Sequence, residues 1–231
     1  MDAIHAEIKQ FSIGFERLQE IWSIVKGIVW VVKNNWENPD KGIWEFRSED
    51  LHFTFSKVLC WVAIDRAIKI AELLDKNEAA KKWEPLKKQI KDDIENKAWN
   101  EDIQAYTQSY GSKHLDASVL LIEQYGFISP NESRFISTVN AIEKELAHEG
   151  LLYRYKNHDD FGLPSSSFTV CTFWFINSLI KIGEVDKAKT YFDNLLSYGN
   201  HLQLFSEDID FKSKRLLAVS YTHLTLPTTT I

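Results

Sequence analysis

The chain has little of what would mark a secreted scaffold, a membrane protein or a nucleic-acid binder. Its 231 residues hold only two cysteines, Cys60 and Cys171. Both sit inside apolar runs, which reads as free buried thiols of a reducing compartment rather than as a disulfide. There is no excess of basic charge: 27 Lys and Arg stand against 33 Asp and Glu, for a net charge of −6. Nucleic acid and anionic membranes both call for clustered basic surface, so neither is an expected partner. The N-terminal MDAIHAEIKQ lacks the apolar core of a signal peptide. The apolar stretch 21–32 is interrupted by Ser23, Lys26 and Gly27 and is too short to span a bilayer. A soluble cytoplasmic protein is the expectation, unless an export signal precedes Met1. The seven histidines show no metal-ligand spacing, and no metal or cofactor is expected.

What remains is helical. No period-2 alternation of useful length occurs, whereas apolar residues recur at spacings of three and four from end to end. Leu18, Ile21, Trp22, Val25, Ile28, Val29 and Val32 form a single stripe. Segment 54–74 is apolar nearly all round, 78–99 is charged and amphipathic, and 114–125 is apolar again. Segment 131–148 is amphipathic, 167–182 is apolar round most of its surface, and 185–197 is amphipathic. A helix apolar on all sides must be surrounded, while an amphipathic one is covered on one side only. Strict alternation therefore predicts an all-α fold of two concentric layers, with 54–74, 114–125 and 167–182 inside. Such a toroid closes with twelve helices, and about seven are legible here.

The composition shifts abruptly at the C-terminus. VSYTHLTLPTT, beginning at Val219, reads as the conceptual translation of a transposon mosaic-end adapter from a sequencing library. The expected division is thus a partial helical domain over residues 1–218 and a non-native tail over 219–231 that lacks a hydrophobic contact set.

Carboxylates are abundant, so the informative ones are those set among aromatic residues, where burial can raise a pKa. Two qualify. Glu45 lies in GIWEFR between Trp44 and Phe46, ahead of the first apolar helix, and Glu207 lies in LFSEDID, after the last amphipathic one. Composition alone leaves helix capping or plain surface exposure open for either. A pair of carboxyl groups, one to protonate a leaving oxygen and one to activate water on the opposite face, is the minimal equipment for glycoside hydrolysis.

The run GIWEFRSEDLHFTFSKVLCWVAIDRAIKIAELL resembles the signature of glycoside hydrolase family 15, the glucoamylases and related trehalases. SYGSKHLDASVLLIEQYGFI, STVNAIEKELAHEGLLYRY, FTVCTFWFINSLIKIGEVDKAKTYFDNLL and LFSEDID follow in the family's order. The resemblance spans residues 15–217 and implies an (α/α)6 barrel and an inverting O-glycosyl hydrolase of glucoamylase type, acting on α-linked glucosides. It implies Glu45 of the W-E motif as general acid and Glu207 as general base. Arg154 of the R-Y motif would bind sugar hydroxyls, with Trp44 and Tyr155 as neighbours, and the partner would be a di- or oligosaccharide. Asp65-Arg66 and Ser56-Lys57 are also family-like, and a buried ion pair or a helix-terminal contact accounts for them. His52 is the one histidine near the acid, and Asp116 in LDAS is expected to fix the start of an inner helix.

The chain departs from the family in three ways. The family's N-terminal β-sandwich and first four barrel helices have no counterpart here. The Gly-Asn-Phe-Pro run that follows the base loop is replaced by the adapter-like tail, and SSSF at 165–168 replaces a Gly-rich loop. The competing class is a non-catalytic helical module, either a solenoid scaffold or a glycan-binding pseudoenzyme. A solenoid would repeat a motif every 34–45 residues or so, which this sequence does not. A pseudoenzyme would be expected to have lost one carboxylate, yet both motif positions hold Glu.

Overall fold

The computed structural model describes residues 15–159 and 162–217. Among them are seven α-helices: α1 (Phe15–Asn35), α2 (Thr54–Leu73), α3 (Asn77–Lys97), α4 (Leu121–Gln124), α5 (Ser133–Leu146), α6 (Thr169–Lys181) and α7 (Val185–Leu196). A 3-10 turn, Ala117–Leu120, leads directly into α4. The adapter-like segment 219–231 lies outside the described residues.

Burial follows the expected alternation. Twelve of the twenty residues of α2 are buried, against Ala80, Ile90 and Ile94 alone in α3. Seven of thirteen are buried in α6, but only Ala188 and Leu195 in α7. On α1, Ile21, Val25 and Val29 turn inward while Ile24, Trp30 and Val31 stay exposed. The inner elements α2, the 3-10 turn with α4, and α6 pack on one another. The outer helices α1 and α3 cover α2, α5 covers the 3-10 turn, and α7 covers α6. One continuous apolar core fills the space between the layers. Thus 78–99 is outer and 167–182 inner, and the described residues form an arc of a two-layered helical toroid. Among them no helix is long and apolar enough to cross a membrane.

Two details differ from the sequence reading. The inner segment 114–125 is not one helix. His114 and Leu115 are non-helical, Asp116 is extended (φ −141, ψ 132), and Asp116 bridges Tyr155, so helical geometry begins only at Ala117. The described residues also include seven strands of two or three residues. β1 (Trp99–Asn100) pairs with β2 (Ala105–Tyr106), and β3 (Ala147–His148) with β4 (Leu151–Leu152). β5 (Ser166–Phe168), β6 (Asp208–Asp210) and β7 (Leu216–Leu217) form an antiparallel sheet in that order. These strands lie in the loops that follow the outer helices α3, α5 and α7, and they brace those loops.

Asp65 ties the layers together. Its side chain is 8% exposed and accepts from Arg66 at 2.5 Å and Lys69 at 2.8 Å, with Lys87 of α3 at 3.7 Å. Arg66 also donates to the Tyr125 carbonyl beyond α4, at 3.0 Å. Burial pushes the Asp65 carboxyl up, but the hydrogen bonds from Lys69 and Arg66 outweigh it and hold the group below its ordinary value. Because the folded-state pKa is depressed, this stabilisation is present at neutral pH and is lost as pH falls through the folded value. Asp65→Asn should cost on the order of 3 kcal/mol at pH 7. In urea titrations the gap to the wild type should close below about pH 4. A gap unchanged between pH 7 and pH 3 would contradict the assignment.

Candidate active site

The loop joining α1 to α2 is fixed at both ends by polar contacts. Asp40 Oδ1 accepts from the Gly42 amide at 2.6 Å and from Ser56 Oγ at 2.7 Å, and the buried Lys57 ammonium donates to the Trp36 carbonyl at 2.6 Å. Ser56 and Lys57 therefore serve the loop's conformation, as expected. Gly42 is required at its position: its φ is +66, and an added Cβ would lie 2.9 Å from the Phe53 ring. Beyond it, Phe46 is buried and stacks on Phe53 with centroids 5.2 Å apart, and also meets Tyr155 at 5.1 Å. The Trp44 indole N–H donates to Asp116 Oδ2 at 2.8 Å. Its ring lies edge-on to Phe168 at 5.4 Å, 6.2 Å from Trp174 and 6.3 Å from Tyr155.

Glu45 stands between these two anchors with a φ of +53, a left-handed conformation in which non-glycine residues are uncommon and which costs about 1 kcal/mol or more. The consequence corrects the sequence reading. Its place between two aromatic residues made Glu45 a candidate for burial, yet Glu45 is exposed, while Glu207 is half-buried. Trp44 and Phe46 both turn inward, and the left-handed residue between them presents its side chain to solvent.

Arg154 and Tyr155 arrive from the loop after α5. The Arg154 guanidinium lies 4.9 Å from the Tyr155 ring, 5.8 Å from Trp44 and 6.0 Å from Phe168. It also lies 3.4 Å from Asp159 Oδ2, the oxygen that accepts from the Tyr155 hydroxyl at 2.7 Å. Burial and the Asp159 carboxylate hold the Tyr155 phenol well above its ordinary pKa. Three of the expected residues, Trp44, Arg154 and Tyr155, thus form one cluster.

Glu207 comes from the loop after α7. Its carbonyl accepts from Thr169 at the start of α6, at 2.8 Å. Its neighbour Asp208 pairs in register with Phe168 and accepts from Ser166 Oγ at 3.1 Å. Burial raises the Asp208 carboxyl above its ordinary value, while Ser166 and Arg154 act in the opposite direction. Arg154, Asp159, Ser166, Phe168 and Asp208 line a cavity of about 220 Å³. A larger groove of about 930 Å³ lies elsewhere, among Trp36, His52, Lys57, Asp93, Lys97 and Tyr110. None of the five expected site residues lines it, and His52 faces that groove.

Asp159, Phe168, Trp174 and Asp208 were not singled out from sequence. Asp208 had a signal, as the second carboxylate of LFSEDID; the others are set by loop contacts. Asp116 caps the 3-10 turn by accepting from Ser118 N at 2.8 Å, as expected, and in addition holds Trp44. Among the described residues no group of three or more His, Cys, Asp or Glu side chains is placed to hold a metal ion. Cys171 is fully buried and Cys60 half-buried, and both thiols are free.

The loops that leave the outer helices thus bring aromatic rings, an arginine and several carboxylates together. The chain matches Glycosyl hydrolases family 15 over residues 3–221 and belongs to that family. It is 40% identical over 215 residues to a trehalase of Mycobacterium tuberculosis, covering 90% of this chain and 31% of that protein. A trehalase of Thermoplasma volcanium is 37% identical over 212 residues, covering 91% and 34%. The chain therefore spans about a third of the length of these relatives. A bacterial glucoamylase solved with acarbose shares the fold at a TM-score of 0.67 and 15% identity, over 91% of this chain and 36% of that one. A wild-type glycosidase aligns at a TM-score of 0.66 and 12% identity, over 78% and 47%.

Tyr155→Phe should destabilise the fold by about 1.5–3 kcal/mol, because it removes a donor from the Asp159 carboxylate, whose side chain is only 6% exposed. Paired thermal melts of wild type and variant test this; equal midpoints would show that the bond contributes nothing.

Proposed function

We propose that the protein to which this chain belongs hydrolyses α-linked glucosides with inversion, Glu45 serving as general acid and Glu207 as general base. One geometric observation carries the reading. The chain neighbours of the two glutamates, Trp44 and Asp208, both meet Phe168, one by ring contact at 5.4 Å and the other as its strand partner. Two loops remote in sequence thus end beside the same aromatic residue, and Arg154 stands there with its planar donors.

In the reaction the Glu45 carboxyl protonates the departing glycosidic oxygen, while the Glu207 carboxylate takes a proton from the water that attacks the anomeric carbon from the opposite face. Arg154 binds sugar hydroxyls, and Trp44 and Tyr155 offer flat apolar surface to the ring. Glu45 is exposed before substrate arrives, so in this reading the bound sugar is what covers it. Trehalose is the favoured substrate, because the relatives at 30–40% identity carry the name trehalase, while the glucoamylase likeness at 15% identity speaks to fold alone. The glucoamylase type implied by the sequence motifs is on this ground the second choice.

In the full-length protein, Glu45→Gln and Glu207→Gln should each lower kcat for trehalose by at least about a hundredfold. Both side chains reach solvent, so melting temperatures should scarcely move. Full activity in either variant would remove that residue from the mechanism, and a wild-type enzyme that cleaves maltose but not trehalose would overturn the substrate.

A further inference from the structure

Asp116 is only 2% exposed, and it accepts three hydrogen bonds from three directions. Ser118 N reaches Oδ1 at 2.8 Å, while the Trp44 indole at 2.8 Å and Gln108 Nε2 at 2.9 Å share Oδ2. The backbone around it is equally committed: Asp116 bridges Tyr155, and Ala117 N donates to the Arg154 carbonyl at 2.8 Å. Gln108 in turn presents its carbonyl to Thr54 N at the start of α2, at 2.9 Å. Capping a four-residue 3-10 turn accounts for the Ser118 bond alone. The bond to Trp44 crosses 72 positions of sequence and reaches the residue just before Glu45.

We propose that Asp116 is a positioning residue for Glu45, acting through the Trp44 indole N–H; the inference rests on the functional reading above. Glu45 is exposed and left-handed, so the direction of its side chain is set by the two anchors on either side. The Phe46 anchor is apolar and non-directional, held by stacking on Phe53 and contact with Tyr155. The Trp44 anchor is directional, because its one donor must point at a buried oxygen. That bond fixes which way the indole lies against Phe168 and Trp174, and with it the peptide that begins Glu45. An asparagine at 116 presents an amide N–H₂ to one set of donors in either orientation. Gln108 can turn its amide to compensate, but the indole has no acceptor to offer.

The test separates positioning from general support by the leaving group. A disaccharide needs its departing oxygen protonated, whereas glucosyl fluoride releases fluoride without a proton from the acid. In the full-length protein, Asp116→Asn should lower kcat for the disaccharide on the order of a hundredfold, with fluoride hydrolysis changed only a few-fold. Trp44→Phe removes the same bond from the half-buried side. Because the ring also faces the sugar it slows both substrates, but it should lower the disaccharide-to-fluoride rate ratio as Asp116→Asn does, so the test survives if Asp116→Asn fails to fold. The double variant should be no slower than the slower single one. Equal losses on both substrates, or no loss on either, overturn the proposal. A wild-type protein inactive on both would instead sink the hydrolase reading and this inference with it.

Discussion

The site loops are held together by one buried carboxylate. Removing an ionised carboxylate from water costs several kcal/mol unless donors replace the lost hydration, and at Asp116 three donors do so, from Ser118, Trp44 and Gln108. Burial still holds the carboxyl above its ordinary pKa. Satisfying the group demands that the loops bearing Trp44 and Gln108 converge on it, while its own backbone joins the loop bearing Arg154 and Tyr155. The two-layer packing brings these loops within reach, because each runs from the end of an outer helix to the start of an inner element. The carboxylate then fixes how they meet.

That the fold was legible follows from how burial is distributed. Inner and outer helices differ in how much of their circumference is apolar, and Val58, Ile64 and Ile68 against the charged Lys81–Lys88 stretch show the difference without any structure. The 114–125 segment misled for the opposite reason. Its apolar residues are buried as an inner helix would require, yet Asp116 is drawn into pairing with Tyr155 and helical geometry starts late. Two-residue strands such as β3 and β4 are too short for alternation to register; loop closure creates them.

The site was legible only in part. Trp44, Arg154 and Tyr155 do meet, and the motif order that singled them out carried real spatial information. Phe168 and Trp174, which complete the aromatic cluster, resemble core residues of an apolar helix in sequence, and nothing local separates them from Phe175 beside them. The environment of Glu45 was misjudged because neighbours in sequence were taken as neighbours in space. A residue with positive φ sends its side chain away from the direction its flanks take, and Glu45 accordingly faces solvent between two inward-facing rings.

The central claim is that the W-E loop and the base loop deliver their glutamates to opposite sides of one bound sugar. A crystal structure of the full-length enzyme with a glucose-like inhibitor tests it most directly. The account predicts Glu45 and Glu207 carboxyl groups about 6.5–9.5 Å apart across the anomeric carbon, the spacing that admits a water, with Arg154 on the sugar hydroxyls. Carboxylates on opposite faces of the helical layer, or an inhibitor bound away from Trp44 and Arg154, would contradict it.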